Sequence, residues 1–306
     1  MNTHIIQEFD NLIQNLYSEK PPNYTFKVKS FKTAITVIRD LDFKIKNSSG
    51  LKEKKIKGIG KGILDRIDEI INSGNLKENK TENKSVTNEL RLLQNITGIG
   101  PKKAQTLVDN NITLSVLLNK PSEEILSNLT HHQKIGLKYY YDLQKKIPNS
   151  IIKKFEKILH TFGFSFTICG SYRREKEYSS DMDILVLHNK YTLSQLITLL
   201  KKNNILVDDL TNKGQTKYMG ICQTPGFDQF MRIDIRLVTK EQYPFTILYF
   251  TGSKDTNTYM RQKAIDMNYK LNEYGLYDKN NTPILLKTEE EIFNILQCPY
   301  KIPSAR

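Results

Sequence analysis

Gly170-Ser171-Tyr172-Arg173-Arg174-Glu175-Lys176-Glu177-Tyr178-Ser179-Ser180-Asp181-Met182-Asp183 is the most informative stretch of this chain. It begins with a Gly-Ser turn and ends in two aspartates separated by one apolar residue. On a strand, residues i and i+2 point to one face. Asp181 and Asp183 then present two carboxylates side by side, with Met182, Ile184 and Val186 facing the other way. Such a pair is costly unless a cation neutralises it. Mg2+ suits the role, because it takes carboxylate oxygens together with substrate phosphates. The Gly170-Ser171 turn adds a hydroxyl and backbone N–H groups able to hold those phosphates. This combination is what nucleotidyl transfer requires. The bland alternative, two solvated turn acids, fits poorly with the spacing from Gly170-Ser171.

Two-metal phosphoryl transfer usually wants a third acid. Met231-Arg232-Ile233-Asp234-Ile235-Arg236-Leu237 supplies one. Met231, Ile233, Ile235 and Leu237 form an apolar face, and Arg232, Asp234 and Arg236 share the polar one. Alone, this would read as an amphipathic strand with a surface ion-pair ladder. Beside Asp181 and Asp183, Asp234 reads as a metal ligand held in place by its arginine neighbours.

The chain has 306 residues, enough for two or more domains. Its net charge of +13 points to a polyanionic partner, with a membrane surface as the alternative. No apolar run is long enough to predict a membrane span. The opening residues, MNTHIIQEFD, lack the basic and apolar regions of a signal peptide. Cys169, Cys222 and Cys298 are far apart among apolar neighbours and read as buried free thiols of a reducing compartment. The five histidines form no Cys/His pairing at zinc spacing.

Residues 5 to about 45 have helical periodicity, broken at Pro21-Pro22. Lys54-Lys55-Ile56-Lys57-Gly58-Ile59-Gly60-Lys61-Gly62 follows and opens a run with Ile63, Leu64, Ile67, Ile70 and Ile71 at helical spacing. Ile96-Thr97-Gly98-Ile99-Gly100-Pro101-Lys102-Lys103 repeats the pattern before Ala104, Leu107 and Val108. Each copy reads as a helix-hairpin-helix. The paired glycines allow a tight turn whose N–H groups meet a DNA phosphate near a helix N-terminus. Carbonyls on its other side can hold a monovalent cation, K+ or Na+. Plain helix-capping turns are the second reading. Residues 76–88, polar and charged, read as an exposed linker.

The ordered motifs resemble those of the family X DNA polymerases of the DNA polymerase beta type. The matching stretches are residues 170–188, 213–223 (KGQTKYMGICQ), 232–237 and 248–261 (LYFTGSKDTNTYMR), with Asn272-Glu273-Tyr274, the Ile292-Phe293 region and both Gly-x-Gly hairpins. The resemblance implies an α+β multidomain fold. It would have N-terminal all-helical domains with two helix-hairpin-helix motifs, then a nucleotidyltransferase palm of mixed sheet and helices, and a small C-terminal α+β subdomain. The expected parts are a lyase-like domain at 1–80, a DNA-binding subdomain at 81–148, the palm at 149–240 and a nucleotide-selecting subdomain at 241–306.

Carried over residue by residue, the resemblance makes Asp181, Asp183 and Asp234 the catalytic ligands of two Mg2+ ions, with Mn2+ as a substitute. Ser171 and Arg174 fall where the family holds the triphosphate. Lys146 stands for an arginine that reaches the same group, and loses its bidentate fork. Ser180 stands for a glycine that approaches the triphosphate by its backbone. Tyr249, Phe250 and Gly252 match a turn that crowds the sugar 2′ position. The alternative for the aromatic pair is core packing on a strand. Asn257 matches a reader of the minor-groove edge of the new base, and Arg261 a residue that reaches the template strand. Lys254 replaces an acid beside the base. Lys213, Thr216 and Lys217 match template-backbone contacts, with a solvated basic loop as the plain reading. Lys27, Gly58, Gly60, Gly98, Gly100, Lys102 and Arg232 complete the expected DNA contacts.

Beta-type enzymes also remove a 5′-deoxyribose phosphate through a lysine Schiff base. Here Arg66 holds the nucleophile position, and a guanidinium cannot act as the amine. Phe26, Phe31 and Glu78 depart from the pattern as well, standing for a histidine, a tyrosine and a lysine. Loss of the lyase is the favoured expectation, with a neighbouring lysine such as Lys61 or Lys27 as the counter-reading. The leading function is template-directed filling of short gaps in base excision repair. The runner-up is a template-independent nucleotidyltransferase, and a non-catalytic DNA-binding protein comes third. The implied partners are gapped or nicked double-stranded DNA, dNTPs and repair proteins such as a ligase. A monomer is expected, with no membrane partner. Abundant Lys, Asn and Ile hint at an AT-rich genome such as that of a large DNA virus. The expectation is a soluble intracellular protein, open between a nucleus and a cytoplasmic viral replication site.

Overall fold

The structure, a computed structural model, describes the chain apart from Met1, Lys20, Asp42, Lys54, Lys55, Lys57, residues 80–83, Lys120, Asn189, Lys190, Asn212 and Lys213, and the side chains of Ser18, Asp40, Lys84, Ser85 and Thr87. Three lysines of the first hairpin, part of the expected linker and the proposed contact Lys213 therefore lie outside the described residues. Two compact units divide the chain, residues 1–128 and 129–306.

The first unit is helical. Its helices are α1 (Thr3–Glu19), α2 (Tyr24–Asp40), α3 (Ser49–Glu53), α4 (Lys61–Ser73), α5 (Lys84–Gln94), α6 (Pro101–Asp109), α7 (Leu114–Leu118) and α8 (Glu123–Ser127). Apolar residues recur along α1, α2 and α4 at three- and four-residue steps, so each helix carries one apolar stripe. Phe9, Leu12, Phe31, Ala34, Ile63 and Ile67 meet in the resulting core.

Both hairpins have the same backbone. Gly58 and Gly98 have φ of 93° and 90°. Gly60 and Gly100 then cap α4 and α6 in extended conformation, with φ −84° and −92° and ψ 174° and 176°. The positive φ is open to glycine and strained for other residues. The repeat in sequence is thus a repeat in geometry.

The expected linker is shorter than its composition suggests. Leu76 is fully buried, and its N–H donates to Glu8 at 3.0 Å. Asn79 also bonds the Glu8 carboxylate, at 2.9 Å, and α5 begins at Lys84. Polar composition misled because these polar groups serve a buried acid rather than solvent.

The second unit opens with α9 (His131–Lys138), α10 (Tyr140–Leu143), β1 (Ile147–Pro148), α11 (Asn149–His160), β2 (Phe166–Ile168), α12 (Gly170–Arg173), β3 (Tyr178–Ser179), β4 (Met182–Leu187) and α13 (Leu193–Lys202). It continues with β5 (Leu206–Asp209), β6 (Lys217–Gln223), β7 (Phe230–Val238), α14 (Tyr243–Thr251) and α15 (Lys254–Asp266). β8 (Lys270–Leu271), β9 (Leu276–Tyr277), β10 (Pro283–Ile284) and α16 (Glu289–Ile295) complete it. A five-stranded sheet runs β2-β4-β7-β6-β5. Only β4 and β7 pair in parallel within it. The alternation expected of β4 and β7 holds: Met182, Ile184, Val186, Met231, Ile233, Ile235 and Leu237 all enter one core with α11 and α13. β8, β9 and β10 form a small antiparallel sheet beside a second core that includes Phe245, Met260, Ile292 and Phe293. All three cysteines are free and buried.

Candidate active site

The parallel pairing of β4 and β7 sets Asp183 directly opposite Asp234, with Met182 opposite Ile233. Asp181 stands one residue before β4. All three acids line one cleft of about 650 Å3. Gly170 starts α12 beside them, with φ 60°. A Cβ there would come within 2.8 Å of Asp183 Oδ2, so a side chain at residue 170 would collide with the acid. This contact is why the Gly-Ser turn needs its glycine.

The electrostatics of the acids are unfavourable by construction. Burial, then the charges of Asp181 and Asp234, push the Asp183 carboxyl up to about 7. Burial also raises Asp234, against the opposing charge of Arg232. Asp234 Oδ1 is buried without a hydrogen-bond partner, its nearest cation being Arg232 Nε at 3.8 Å. Arg232 also pairs with Asp181. Among the described residues no three His, Cys, Asp or Glu side chains are gathered about a single point to hold one ion. Mg2+ binds through one or two carboxylates and completes its shell with water and phosphate oxygens. An unpartnered buried carboxylate oxygen, and an acid displaced upward by its like-charged neighbours, are what such an ion would relieve. The donor set therefore fits divalent cations.

Cations and polar groups face the acids from the same cleft: Ser171, Arg174, Lys217, Arg236, Lys254, Asn257, Thr258 and Arg261. Arg174 reaches the Thr251 carbonyl, and Arg173 donates to the Thr251 hydroxyl at 2.6 Å. α12 is thereby fastened to the C-terminal turn of α14. Tyr249 and Phe250 lie in that turn and line the cleft with Gly252, whose peptide to Ser253 is cis. The strand considered for this pair is thus a helix. Its sequence, YPFTILYFT, is apolar on all sides and gives no period to read. Asn257 Nδ2 donates to the Tyr249 carbonyl at 2.7 Å. The Arg261 guanidinium lies 5.0 Å from the centre of the Tyr249 ring and 3.4 Å from Glu273.

Lys146 and Ser180 are not among the residues lining the cleft; they bond each other at 2.6 Å. Thr216 lines a separate cavity with His188, Thr192 and Gln242, while Lys217 faces the acids. Sequence reading gave no role to Thr258 or Glu273, and cast Arg236 only as a neighbour that holds Asp234 in place; all three line the cleft.

In the first unit, three of the departures that the resemblance assigns to one pocket, Arg66, Phe31 and Glu78, touch one another. Arg66 on α4 donates from Nη2 and Nε to the two Glu78 oxygens at 2.6 and 3.3 Å. Its Nη1 donates to the Gly62 carbonyl at 2.9 Å, and its guanidinium sits 5.3 Å from the Phe31 ring centre. Phe26 and Lys27 are exposed on α2, and Lys102 is exposed on α6.

Comparison with known proteins covers nearly the whole chain. A helix-hairpin-helix domain matches residues 1–76, and the fingers domain of DNA polymerase lambda matches 91–144. The DNA polymerase beta palm matches 144–240 and its thumb 246–306. The chain belongs to the beta-type family X DNA polymerases. Among its family X relatives is DNA polymerase lambda of Arabidopsis thaliana, 30% identical over the full length of this chain and 62% of that protein. DNA polymerase lambda of Rattus norvegicus is 29% identical over the full chain and 56% of its own length. A protein of Bacillus subtilis (strain 168) named DNA polymerase/3'-5' exonuclease PolX is 28% identical over 85% of the chain and 47% of its own length. The chain thus spans less than two thirds of each of these relatives. No helix among the described residues is long and apolar enough to cross a membrane.

Proposed function

We propose that this chain is a template-directed DNA polymerase that fills short gaps, as in base excision repair. The observation that carries the reading is Asp183 opposite Asp234, with Asp181 beside them and Ser171 and Arg174 in the same cleft. Asp181, Asp183 and Asp234 would hold two Mg2+ ions, which when bound supply charge neutralisation and lower the pKa of the attacking hydroxyl. The chain's own part is alignment, the main requirement of phosphoryl transfer. Ser171 and Arg174 orient the triphosphate. The Tyr249–Gly252 turn closes on the sugar, and Asn257 and Arg261 face the base pair. Lys254 stands at the first turn of α15, where the helix dipole disfavours a cation. A polyanionic ligand gives that cation a reason to be there. The hairpins at Gly58–Gly60 and Gly98–Gly100, with Lys27 and Lys102, serve the DNA backbone. K+ or Na+ at each hairpin and a repair ligase as partner belong to the same proposal.

The first experiment is incorporation of a single dNTP into gapped DNA with Mg2+. Template-dependent extension, lost in Asp234→Asn, is expected. Extension without regard to template would make the chain a template-independent nucleotidyltransferase instead.

The lyase reading is loss. A guanidinium offers no free amine to attack the sugar, and Glu78 pairs with Arg66 at 2.6 Å. Borohydride should trap no adduct with 5′-deoxyribose phosphate DNA. Arg66→Lys alone should gain little, because the Glu78 carboxylate favours the charged amine. Arg66→Lys with Glu78→Gln should form measurable adduct. Strong trapping by the unaltered chain would mean that another lysine does the chemistry.

A further inference from the structure

The sheet that carries the acids has a second side, and that side is basic. Met182, Ile184, Ile233 and Ile235 point away from Asp183 and Asp234 into the core shared with α11 and α13. These two helices therefore cover the face opposite the cleft. α11 buries Ile151, Ile152, Phe155 and Leu159. Its outward face carries Lys153, Lys154 and Lys157, all exposed, with exposed Ser150 and Thr161 at the two ends. The one acid of this helix, Glu156, is half-buried and accepts from the Tyr172 hydroxyl at 2.6 Å. α13 has no acid at all and ends in exposed Lys201 and Lys202. Lys201 pairs with Asp209 at 2.5 Å. Among the described residues no ion pair reaches Lys153, Lys154, Lys157 or Lys202.

Such a face works against its own helix. Lys153 and Lys157 are four residues apart, Lys154 and Lys157 three, and like charges at these spacings cost about 0.2–0.5 kcal/mol a pair. The helix dipole favours Lys157 in the last turn but does nothing for Lys153 and Lys154. A solvated helix face ordinarily mixes both signs. A polyanion would remove the repulsion. The three lysines cannot serve the cleft itself. A sheet and a helix about 10–12 Å across lie between them, more than the Debye length of about 10 Å at 0.1 M salt.

The kind of polyanion follows from what the face lacks. No large apolar side chain is exposed on α11 or α13. The one ring on the outward face, His160, packs against Phe166 with centroids 4.7 Å apart. A protein partner needs buried anchors, and lysine is depleted from protein interfaces. Single-stranded nucleic acid needs rings on which its bases can stack. A duplex backbone needs only cations and hydroxyls. We propose that the outward face of α11 is a second, sequence-independent site for double-stranded DNA, which holds one duplex while the cleft engages another. Such a site is additional to the polymerase chemistry and needs no turnover. It would let the chain pass between DNA segments on its way to a gap.

The test saturates the full chain with a short gapped hairpin DNA, then titrates a fluorescent intact duplex at several salt concentrations. The unaltered chain should bind both DNAs at once. Lys153→Gln, Lys154→Gln and Lys157→Gln together should weaken binding of the second duplex about tenfold or more and flatten its salt slope by about 2–3. The same three positions changed to arginine keep the charge and should behave as the unaltered chain. Affinity for the hairpin and incorporation on it should be unchanged in both variants. An unaltered chain that holds no second duplex, or an unchanged slope in the glutamine variant, would overturn the site. Loss of hairpin binding or incorporation in that variant would assign the lysines to the DNA of the cleft and equally overturn it. Poly-glutamate is the competing polyanion. A glutamine variant that loses poly-glutamate but keeps the duplex would make the partner an acidic protein, and the DNA assignment would fall. A chain that holds both duplexes yet incorporates nothing would sink the polymerase reading and leave this site standing.

Discussion

Asp183 concentrates the conflict between stability and function in one side chain. It is held against Gly170, faces Asp234 across a strand pair, and is raised to about 7 by burial and two like charges. Removing its charge relieves that repulsion. Asp183→Asn should therefore abolish gap filling, by about a thousandfold or more, while the folded chain becomes more stable. A gain of about 1 kcal/mol would raise Tm by about 2–4 °C in a unit of this size. A lowered Tm would mean that the ionised carboxylate makes native bonds worth more than the repulsion costs. Calorimetry in EDTA, next to a single-nucleotide assay in Mg2+, reads both effects. Asp181 and Asp183 were legible in sequence because a two-residue period about Met182 puts both on one face, and Asp234 because Met231–Leu237 alternates in the same way. Arg66 with Glu78, and Lys146 with Ser180, were each assigned by the resemblance to a shared site, but their direct pairing was not visible in sequence. Their contacts cross between elements, and no periodicity reports which element lies opposite.

Elements were legible where one face is apolar and the other polar. β4 and β7 announce themselves by alternation, and α1, α2 and α4 by helical stripes. α14 does not, because it is surrounded by core on most sides, with Phe245, Thr246, Ile247 and Leu248 all buried. The hairpins were legible for a different reason: Gly-x-Gly demands its backbone. Gly58 has φ 93°, and a Cβ there would sit 3.1 Å from Thr33 Cγ2 and 3.3 Å from Val37 Cγ2. Gly58→Ala should cost about 1–3 kcal/mol of local strain. If this hairpin holds a DNA phosphate, the same variant should weaken binding to gapped DNA and flatten its salt dependence by about one phosphate contact. Titrations at several salt concentrations measure both the affinity and the slope. An unchanged slope would remove the first hairpin from the DNA interface while leaving the strain prediction standing.

At the scale of the second unit, one acid ties distant parts of the chain together. Glu289 opens α16 and accepts from Arg173, 116 residues earlier, at 2.6 Å. It also pairs with Arg306, whose side chain is fully buried. Arg306 is held further by the Lys301 carbonyl at 2.8 Å and by the rings of Phe293 and Tyr300. Arg173 in turn bonds Thr251, so the same acid braces α12, the start of the candidate triphosphate site, against α14 and α16. Nothing in the sequence around Glu289 signals this, since Glu289-Glu290-Glu291 reads as an ordinary acidic first turn. Deleting one partner of a buried ionic cluster is far costlier than never having built it, because the remaining charges stay desolvated. Glu289→Ala leaves two arginines without their shared acid and should destabilise the unit by about 3–5 kcal/mol. Glu289→Gln keeps an acceptor but no charge and should fall between that value and zero. Nucleotide affinity should drop with stability in both variants, because α12 loses its brace. A Glu289→Ala chain with unchanged Tm but weakened nucleotide binding would instead mean that the cluster sets the position of α12 without holding the fold.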